Sequence, residues 1–127
     1  MTNSLLIGKL IYQKLSEDLD TEKIYPLVAE NGTTYPYIVY YRTNVSIQGI
    51  SKDGYCEDTC NYTVATISDK YNESVEIANQ IRGILEKKKL ITNDLVIFDN
   101  KLVGATERFN KDAYIQELYF ECKINNQ

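Results

Sequence analysis

The hydrophobic pattern at the start of the chain predicts one amphipathic helix and then a short strand. From Ser4 to about Asp18, apolar residues recur at helical spacing and form one stripe: Ile7, Leu10, Ile11 and Leu15. Asn3 or Ser4 can cap this helix by accepting a backbone N–H bond. The segment from Lys23 to Val28 is β-favouring, and Pro26 indicates an edge position or a strand end.

Two long β-favouring segments follow and predict a hairpin. Residues 35–48 are rich in β-branched and aromatic side chains, with Pro36 at the entry, where a missing donor costs least. A polar loop is predicted from Gly49 to Gly54. Residues 55–68 form the partner strand, since sequential strands usually pair. Its inward-facing set is predicted to hold Tyr62, Val64 and, if a bulge is present, Ile67.

A second helix is predicted from Tyr71 to Lys89. Its apolar face is expected to contain Val75, Ile77, Ala78, Ile81, Arg82, Ile84 and Leu85. Asp69 or Asn72 can cap its start. The sequence therefore places a second amphipathic element after the hairpin.

The last third of the chain predicts two or three further strands. Residues 95–98 and 102–106 flank Asp99-Asn100-Lys101, which is a tight-turn signal. Residues 114–124 then alternate between two sets, which indicates one covered and one wetter face. The order is α-β-β-β-α-β-β(-β), with clustered strands. That order favours a single α+β domain over residues 1–127, a mainly antiparallel sheet with two helices on one face.

Composition and charge argue against several classes of function. The chain has 127 residues, 43% hydrophobic and 25% charged, with a net charge of −4. No apolar run reaches the roughly 20 residues of a membrane span, and the N-terminus lacks the basic region of a signal peptide. We expect a cytosol-like location and no membrane partner. The acidity argues against a nucleic-acid binder, and the one basic cluster, Lys87-Lys88-Lys89, is interpreted as a solvated helix end.

Candidate catalytic chemistry is scarce. The chain has no histidine, which excludes Ser-His-Asp and Cys-His mechanisms. The carboxylate pairs Asp18/Asp20 and Glu57/Asp58 are interpreted as surface acids. Cys56 and Cys60 lie about 13 Å apart if they share a strand, too far to hold one metal ion. We predict no enzyme activity, no cofactor and no metal, and ordinary thiols at these two positions and at Cys122.

Tyrosine is the informative excess, with 11 residues and no tryptophan. Tyrosine combines a large contact area with a polar tip, so it is enriched at interfaces. Along one strand, Tyr37 and Tyr41 share a face and Tyr40 takes the other. The helices can cover one face, and a neighbouring subunit is the simplest cover for the second. The predicted contact residues are Tyr37, Tyr40, Tyr41, Gly49, Gly54 and Tyr55.

Three motifs carry a family resemblance over nearly the whole chain. They are Ile24-Tyr25-Pro26, the run Tyr35-Pro36-Tyr37-Ile38-Val39-Tyr40, and the helical Ala-x-x-Ile-Arg-x-x-Leu of residues 78–85. The chain resembles the tail-completion or tail-terminator (tail-to-head joining) family of long-tailed bacteriophages and prophages.

The resemblance implies an α+β fold and a homo-oligomeric ring, commonly a hexamer, at the head-proximal end of the tail. Such a ring stops growth of the tail tube, joins the head connector and lets DNA pass through its lumen without specific binding. It assembles in the host cytoplasm and resides at the head–tail junction. We expect the hairpin, residues 37–68, to reach a neighbour and its tip, residues 48–60, to be mobile in the free protein.

Two other readings remain open. One is a different assembly role, as another head–tail connector or a tail-tube subunit. The other is a small-ligand-binding regulatory domain, which predicts a deep apolar pocket with a few convergent polar groups.

Overall fold

The structure is a computed structural model that describes residues 4–50, 56–91 and 95–126. Its elements in chain order are a 3-10 turn (Ser4–Leu6), α1 (Ile7–Asp18), β1 (Ile24–Pro26), β2 (Tyr37–Ile50), β3 (Cys56–Ser68), α2 (Tyr71–Leu85), β4 (Leu90–Ile91), β5 (Leu95–Asn110) and β6 (Ala113–Asn126). This order confirms the predicted α+β class.

The strands form one sheet in the order β1-β2-β3-β6-β5-β4. Every neighbouring pair is antiparallel except β1, which runs parallel to β2, so the mainly antiparallel prediction is confirmed. The predicted β2–β3 hairpin is present, with Tyr40 opposite Val64. β1 is a three-residue edge strand that ends at Pro26, as the proline indicated.

Both helices pack on the same face of the sheet, and the main core lies between them and the strands. The predicted α1 stripe is confirmed, because Ile7, Leu10, Ile11 and Leu15 are all buried. The alternation of β6 is also confirmed: Leu118, Phe120, Cys122 and Ile124 are buried, and the intervening side chains are half-buried or exposed. Local periodicity was sufficient for both elements.

Most of the predicted α2 face is confirmed, because Ala78, Ile81 and Leu85 are buried and Ile77 and Ile84 pack against the core, but the face is rotated away from Val75 and Arg82. Its buried residues are Ser74, Ala78, Ile81 and Leu85, whereas Val75 and Arg82 are exposed. Ser74 replaces Val75 in the stripe because its hydroxyl donates to the Tyr71 carbonyl, which satisfies its polar group inside the core.

The bounds and caps of the helices differ from expectation. α2 ends at Leu85, not Lys89, because Lys87 takes a positive φ of 63° and turns the chain toward β4. Neither helix start has a side-chain cap: the first residue before α2 is Lys70, so the Asp69 and Asn72 predictions are wrong. The Ser4 hydroxyl instead donates to the Asp58 carboxylate, which is buried, so the interpretation of Asp58 as a surface acid is wrong. Asn3 lies outside the described residues.

The predicted turn at Asp99-Asn100-Lys101 is wrong. β5 continues through this point with a bulge between Phe98 and Lys101, where Asp99 has a φ of 50°. The turn that joins β5 to β6 is Lys111-Asp112, both at positive φ, as a tight two-residue hairpin requires. A left-handed residue was present at the predicted position, but it makes a bulge there.

Ile67 faces away from the main core, contrary to expectation. The β3–β6 pairing runs without a register shift, so the strand period of two places Tyr62 and Val64 on the helix side and Ile67 on the other. The register shifts of the hairpin lie in β2 instead. Gly49 and Ile50, the first residues of the predicted loop 49–54, belong to β2 instead, and residues 51–54 lie outside the described part of the chain.

Candidate functional site

The sheet face opposite the helices, which we call the outer face, carries a second apolar cluster. Its buried members are Val39, Ala65, Ile67 and Ala113, with Ala29, Tyr37, Tyr41 and Ile115 packed against them. The Tyr37 ring stacks on Tyr35 with centroids 5.8 Å apart. Strand alternation therefore places Tyr37 and Tyr41 together, as predicted.

Residues 27–33 lie beside this cluster, and an open groove of about 700 Å³ separates them from the sheet. Leu27 and Val28 are 70% and 76% exposed at its border. At the other border, the Arg108 guanidinium donates to the Glu117 carboxylate at 2.7 Å. The groove is shallow and mixed in character, unlike the deep apolar pocket that a small-ligand domain predicts.

Tyr40 takes the opposite face and belongs to the main core, where it is 8% exposed. Its ring lies 6.3 Å from Tyr12. Burial, followed by the proximity of Tyr12, raises the pKa of Tyr40 above its ordinary value. Burial and then Tyr35 do the same to the pKa of Tyr37. Both hydroxyls stay protonated at neutral pH.

The remaining predicted contact residues belong to the far end of the hairpin. Gly49 lies within β2. Gly54 and Tyr55 lie outside the described residues, as do all of residues 51–55 of the tip whose mobility was predicted.

Both long edges of the sheet are largely open. β1 pairs only with residues 38–40 of β2, and β4 pairs only with Val96 and Ile97 of β5. Within the described ranges, residues 41–50 of β2 and 99–110 of β5 have no strand on their outer side. Such edges present unpaired backbone donors and acceptors, and they readily take a strand of another chain.

Each open edge has an exposed apolar patch beside it. The aromatic patch, next to β5, consists of Tyr71, Phe109 and Tyr114, with Phe109–Tyr114 and Tyr71–Tyr114 centroids 4.9 and 5.5 Å apart. Phe109 is 59% exposed. The aliphatic patch, next to β2, consists of Leu5 and Leu27, which are 64% and 70% exposed and line one groove. Sequence reasoning missed both patches.

Charged groups of opposite sign accompany the two patches. Arg42 lies beside the aliphatic patch and donates to the Leu5 carbonyl at 2.9 Å. Glu107 lies beside the aromatic patch and accepts from the Tyr71 hydroxyl at 3.0 Å. Because the two patches lie beside opposite edges of the sheet, they cannot contact each other within one molecule.

Two cysteines meet across neighbouring strands. Cys60 and Cys122 are directly opposite in the β3–β6 register, fully buried and free. The hydrogen bond with Cys60, together with burial, raises the pKa of Cys122 far above its ordinary value. Within residues 4–50, 56–91 and 95–126, no group of three potential ligands that could hold a metal ion is found. The arrangement fits inert core thiols.

We predict that neither Cys60 nor Cys122 reacts with a water-soluble thiol reagent in the folded protein, because both thiols are buried beyond the reach of the reagent. The measurement is reagent uptake by a Cys56→Ser variant, before and after unfolding in guanidinium. Two thiols should react only after unfolding. Rapid uptake by the folded variant would contradict the predicted burial.

No helix in the described part of the chain is long and apolar enough to cross a membrane.

Comparisons with known proteins identify the fold. No protein-family model and no curated protein matches the sequence. A solved chain described as "Virion of native gene transfer agent (GTA) particle" has a TM-score of 0.75 with 14% identity over 94% of each chain. Another solved chain, which carries no functional description, has a TM-score of 0.67 with 9% identity over 100% of this chain and 97% of its own. This α+β fold is therefore shared, over 94% of both chains, with a chain of the gene transfer agent virion.

Proposed function

We propose that the chain is a structural protein of a phage-like virion, which forms a closed ring at the head-proximal end of the tail. The ring ends growth of the tail tube and joins the tail to the head. The observation that carries this proposal is the similarity over 94% of both chains to the gene transfer agent chain. The motifs of residues 24–26, 35–40 and 78–85 point to the same role.

The two open sheet edges support a ring. A surface that contacts a different surface of the next copy is heterologous, and such contacts generate rings when the rotation closes. The aliphatic patch and the aromatic patch lie beside opposite edges of the sheet, with Arg42 next to the first and Glu107 next to the second. Contact between neighbouring copies would bury both patches and bring these opposite charges together.

The outer face supports contact with a further partner. Tyr37 and Tyr41 pack against its apolar cluster while remaining partly exposed, and they border the groove beside residues 27–33. In a terminator, one side must match the last ring of the tail tube, and the other must refuse a further tube subunit. We assign Tyr37, Tyr41 and the hairpin end that includes Gly49 to these contacts. The role requires no catalysis.

The full-length protein in solution tests the ring. We expect native mass spectrometry to give one closed stoichiometry, with a hexamer as the expected species, and negative-stain images to give rings of one diameter. Fibres that lengthen with concentration would instead favour a tail-tube subunit. A protein that stays monomeric at high concentration would contradict the self-assembly proposal.

Two blocked variants test which surfaces meet. We expect Leu27→Glu and Phe109→Glu each to abolish the ring, because each places a charge in one patch. Mixed together, they should form a one-to-one dimer, since each retains the surface that the other lacks. Asn79→Glu, which adds the same charge on an exposed position of α2, is the matched control and should still form rings.

If either blocked variant still closes into a ring, the corresponding patch is not in the interface. If both variants lose the ring but the mixture yields no dimer, the two patches do not contact one another. Thermal unfolding of each variant, compared with the Asn79→Glu control, separates loss of assembly from loss of folding.

A further inference from the structure

Five lysines from three separate segments converge on one groove, which we call the lysine groove. They are Lys87, Lys88 and Lys89 after α2, Lys101 on β5 and Lys123 on β6, around a concavity of about 410 Å³. Two carboxylates, Asp99 and Glu121, are also among the described residues that line it, and these residues together carry a net charge of +3. Since the chain totals −4, the remainder carries −7. The charge asymmetry is therefore strong.

The lysines are only partly neutralised. Lys101 lies 3.7 Å from the Glu121 carboxylate. Among the described residues, no ion pair within 4 Å engages Lys87, Lys88 or Lys89. Like charges gathered in a concavity repel one another, and their field attracts an anion more strongly than scattered surface lysines do.

A buried asparagine fixes the groove. Asn100, in the β5 bulge, is 1% exposed, accepts from the Tyr62 hydroxyl at 2.8 Å and donates to the Leu85 carbonyl at 2.9 Å. The Lys87 backbone N–H donates to the Asn100 carbonyl. These bonds tie the bulge to the end of α2. The bulge then presents Lys101 to the solvent beside Lys87.

The lining chemistry distinguishes between classes of polyanion. Among the described residues that line the groove, none has an aliphatic or aromatic side chain. The cores of protein interfaces are enriched in aromatic residues and depleted of lysine, and single-stranded nucleic-acid sites need aromatic rings for base stacking. Lysine point charges without rings match the phosphate backbone of a duplex.

We propose that the lysine groove binds the phosphate backbone of double-stranded DNA, without sequence preference. This inference does not rest on the proposed ring, although a duplex passing through a ring would supply the ligand. The binding is electrostatic, so its affinity falls steeply with salt, by about 0.9 logarithmic units of affinity per logarithmic unit of salt for each phosphate contact.

Fluorescence anisotropy of a labelled mixed-sequence duplex with the full-length protein tests the inference. The groove variant is Lys87→Gln, Lys88→Gln and Lys89→Gln. The control variant, Lys9→Gln, Lys70→Gln and Lys111→Gln, removes the same charge from three exposed lysines outside the groove. We expect the control to bind like wild type. The groove variant should lose at least about tenfold in affinity at low salt, and its salt slope should fall by about 3.

Equal loss in both variants would mean that only total charge matters and would overturn the inference, as would no salt-dependent binding by wild type. Stronger binding of poly-glutamate than of duplex would also overturn it, in favour of an acidic protein partner. Native mass spectrometry in the same buffer records the assembly state. If a monomeric protein binds DNA, the ring proposal is contradicted and the lysine-groove proposal is supported. If the protein forms a ring that does not bind DNA, the lysine-groove proposal is contradicted and the ring proposal is supported.

Discussion

Replacing Asn100 with alanine is expected to lower the free energy of unfolding by about 3 kcal/mol, because two buried polar groups lose their partners. The Tyr62 hydroxyl and the Leu85 carbonyl both bond to the Asn100 side chain, and both Asn100 and Tyr62 are almost fully buried. A buried donor or acceptor without a partner costs about 1–3 kcal/mol. Urea unfolding, followed by far-UV circular dichroism at fixed protein concentration, measures the change.

Two further variants serve as controls for the Asn100→Ala result. Asn79→Ala removes an exposed asparagine and should change stability by less than about 0.5 kcal/mol. In an Asn100→Ala protein, the further change Tyr62→Phe should be nearly neutral or stabilising, because it deletes the hydroxyl that has lost its partner. If Asn100→Ala unfolds like wild type, the asparagine does not hold the bulge to the helix end, and the lysine groove loses its rigid support.

The role of Asn100 illustrates what the sequence could not reveal. The run Asp99-Asn100-Lys101 has the local signature of a tight turn, and Asp99 does adopt a left-handed φ of 50°. Whether such a residue makes a turn or a bulge depends on distant partners. Here, these are Tyr62 and Leu85, which lie 38 and 15 residues away. No local pattern records them.

The elements that were predictable are those whose signal is local. The α1 stripe from Ile7 to Leu15 and the alternation of β6 follow directly from the periods of helix and strand. The same alternation correctly separated Tyr37 and Tyr41 from Tyr40. The Ile67 prediction failed because it invoked a bulge in β3, whereas the register shifts lie in β2.

The candidate assembly surfaces depend on sheet order, which periodicity does not encode. β6 inserts between β3 and β5, so β5 becomes the penultimate strand, and among the described residues β4 pairs with it only at Val96 and Ile97. That placement leaves residues 103–110 without a strand on their outer side and puts Phe109 beside Tyr114 and Tyr71. The one available clue was an aromatic residue within a charged run, Glu107-Arg108-Phe109-Asn110-Lys111-Asp112.

Net charge was also a poor guide to the surface. A total of −4 argued against binding to nucleic acid, yet this average conceals a groove of +3. Lys87, Lys88 and Lys89 were recognised as a basic cluster, but their interpretation as a helix end assumed that α2 continued to Lys89. Because α2 stops at Leu85, these lysines lie beside β5 and β6 instead.

The rotated face of α2 gives the second large expected effect. Ile81→Ala is expected to lower the free energy of unfolding by about 2–5 kcal/mol, because Ile81 is fully buried between the helix and the sheet and its truncation leaves a cavity. Val75→Ala is the matched comparison on the same helix. Val75 is 40% exposed, so its loss should cost less than about 0.5 kcal/mol, partly offset by the better helix propensity of alanine.

The comparison of Ile81→Ala with Val75→Ala tests whether α2 buries the observed face or the face predicted from the sequence. Both Ile81 and Val75 belonged to the predicted stripe, so that stripe requires both substitutions to be costly. In the observed helix, Ser74 occupies the buried position and directs Val75 to the solvent. Urea unfolding of both variants, each on a background in which Phe109→Glu prevents assembly, removes the contribution of subunit contacts. Comparable losses for the two variants would show that Val75 is buried in solution, either by the core or by an assembly contact that survives the Phe109 change.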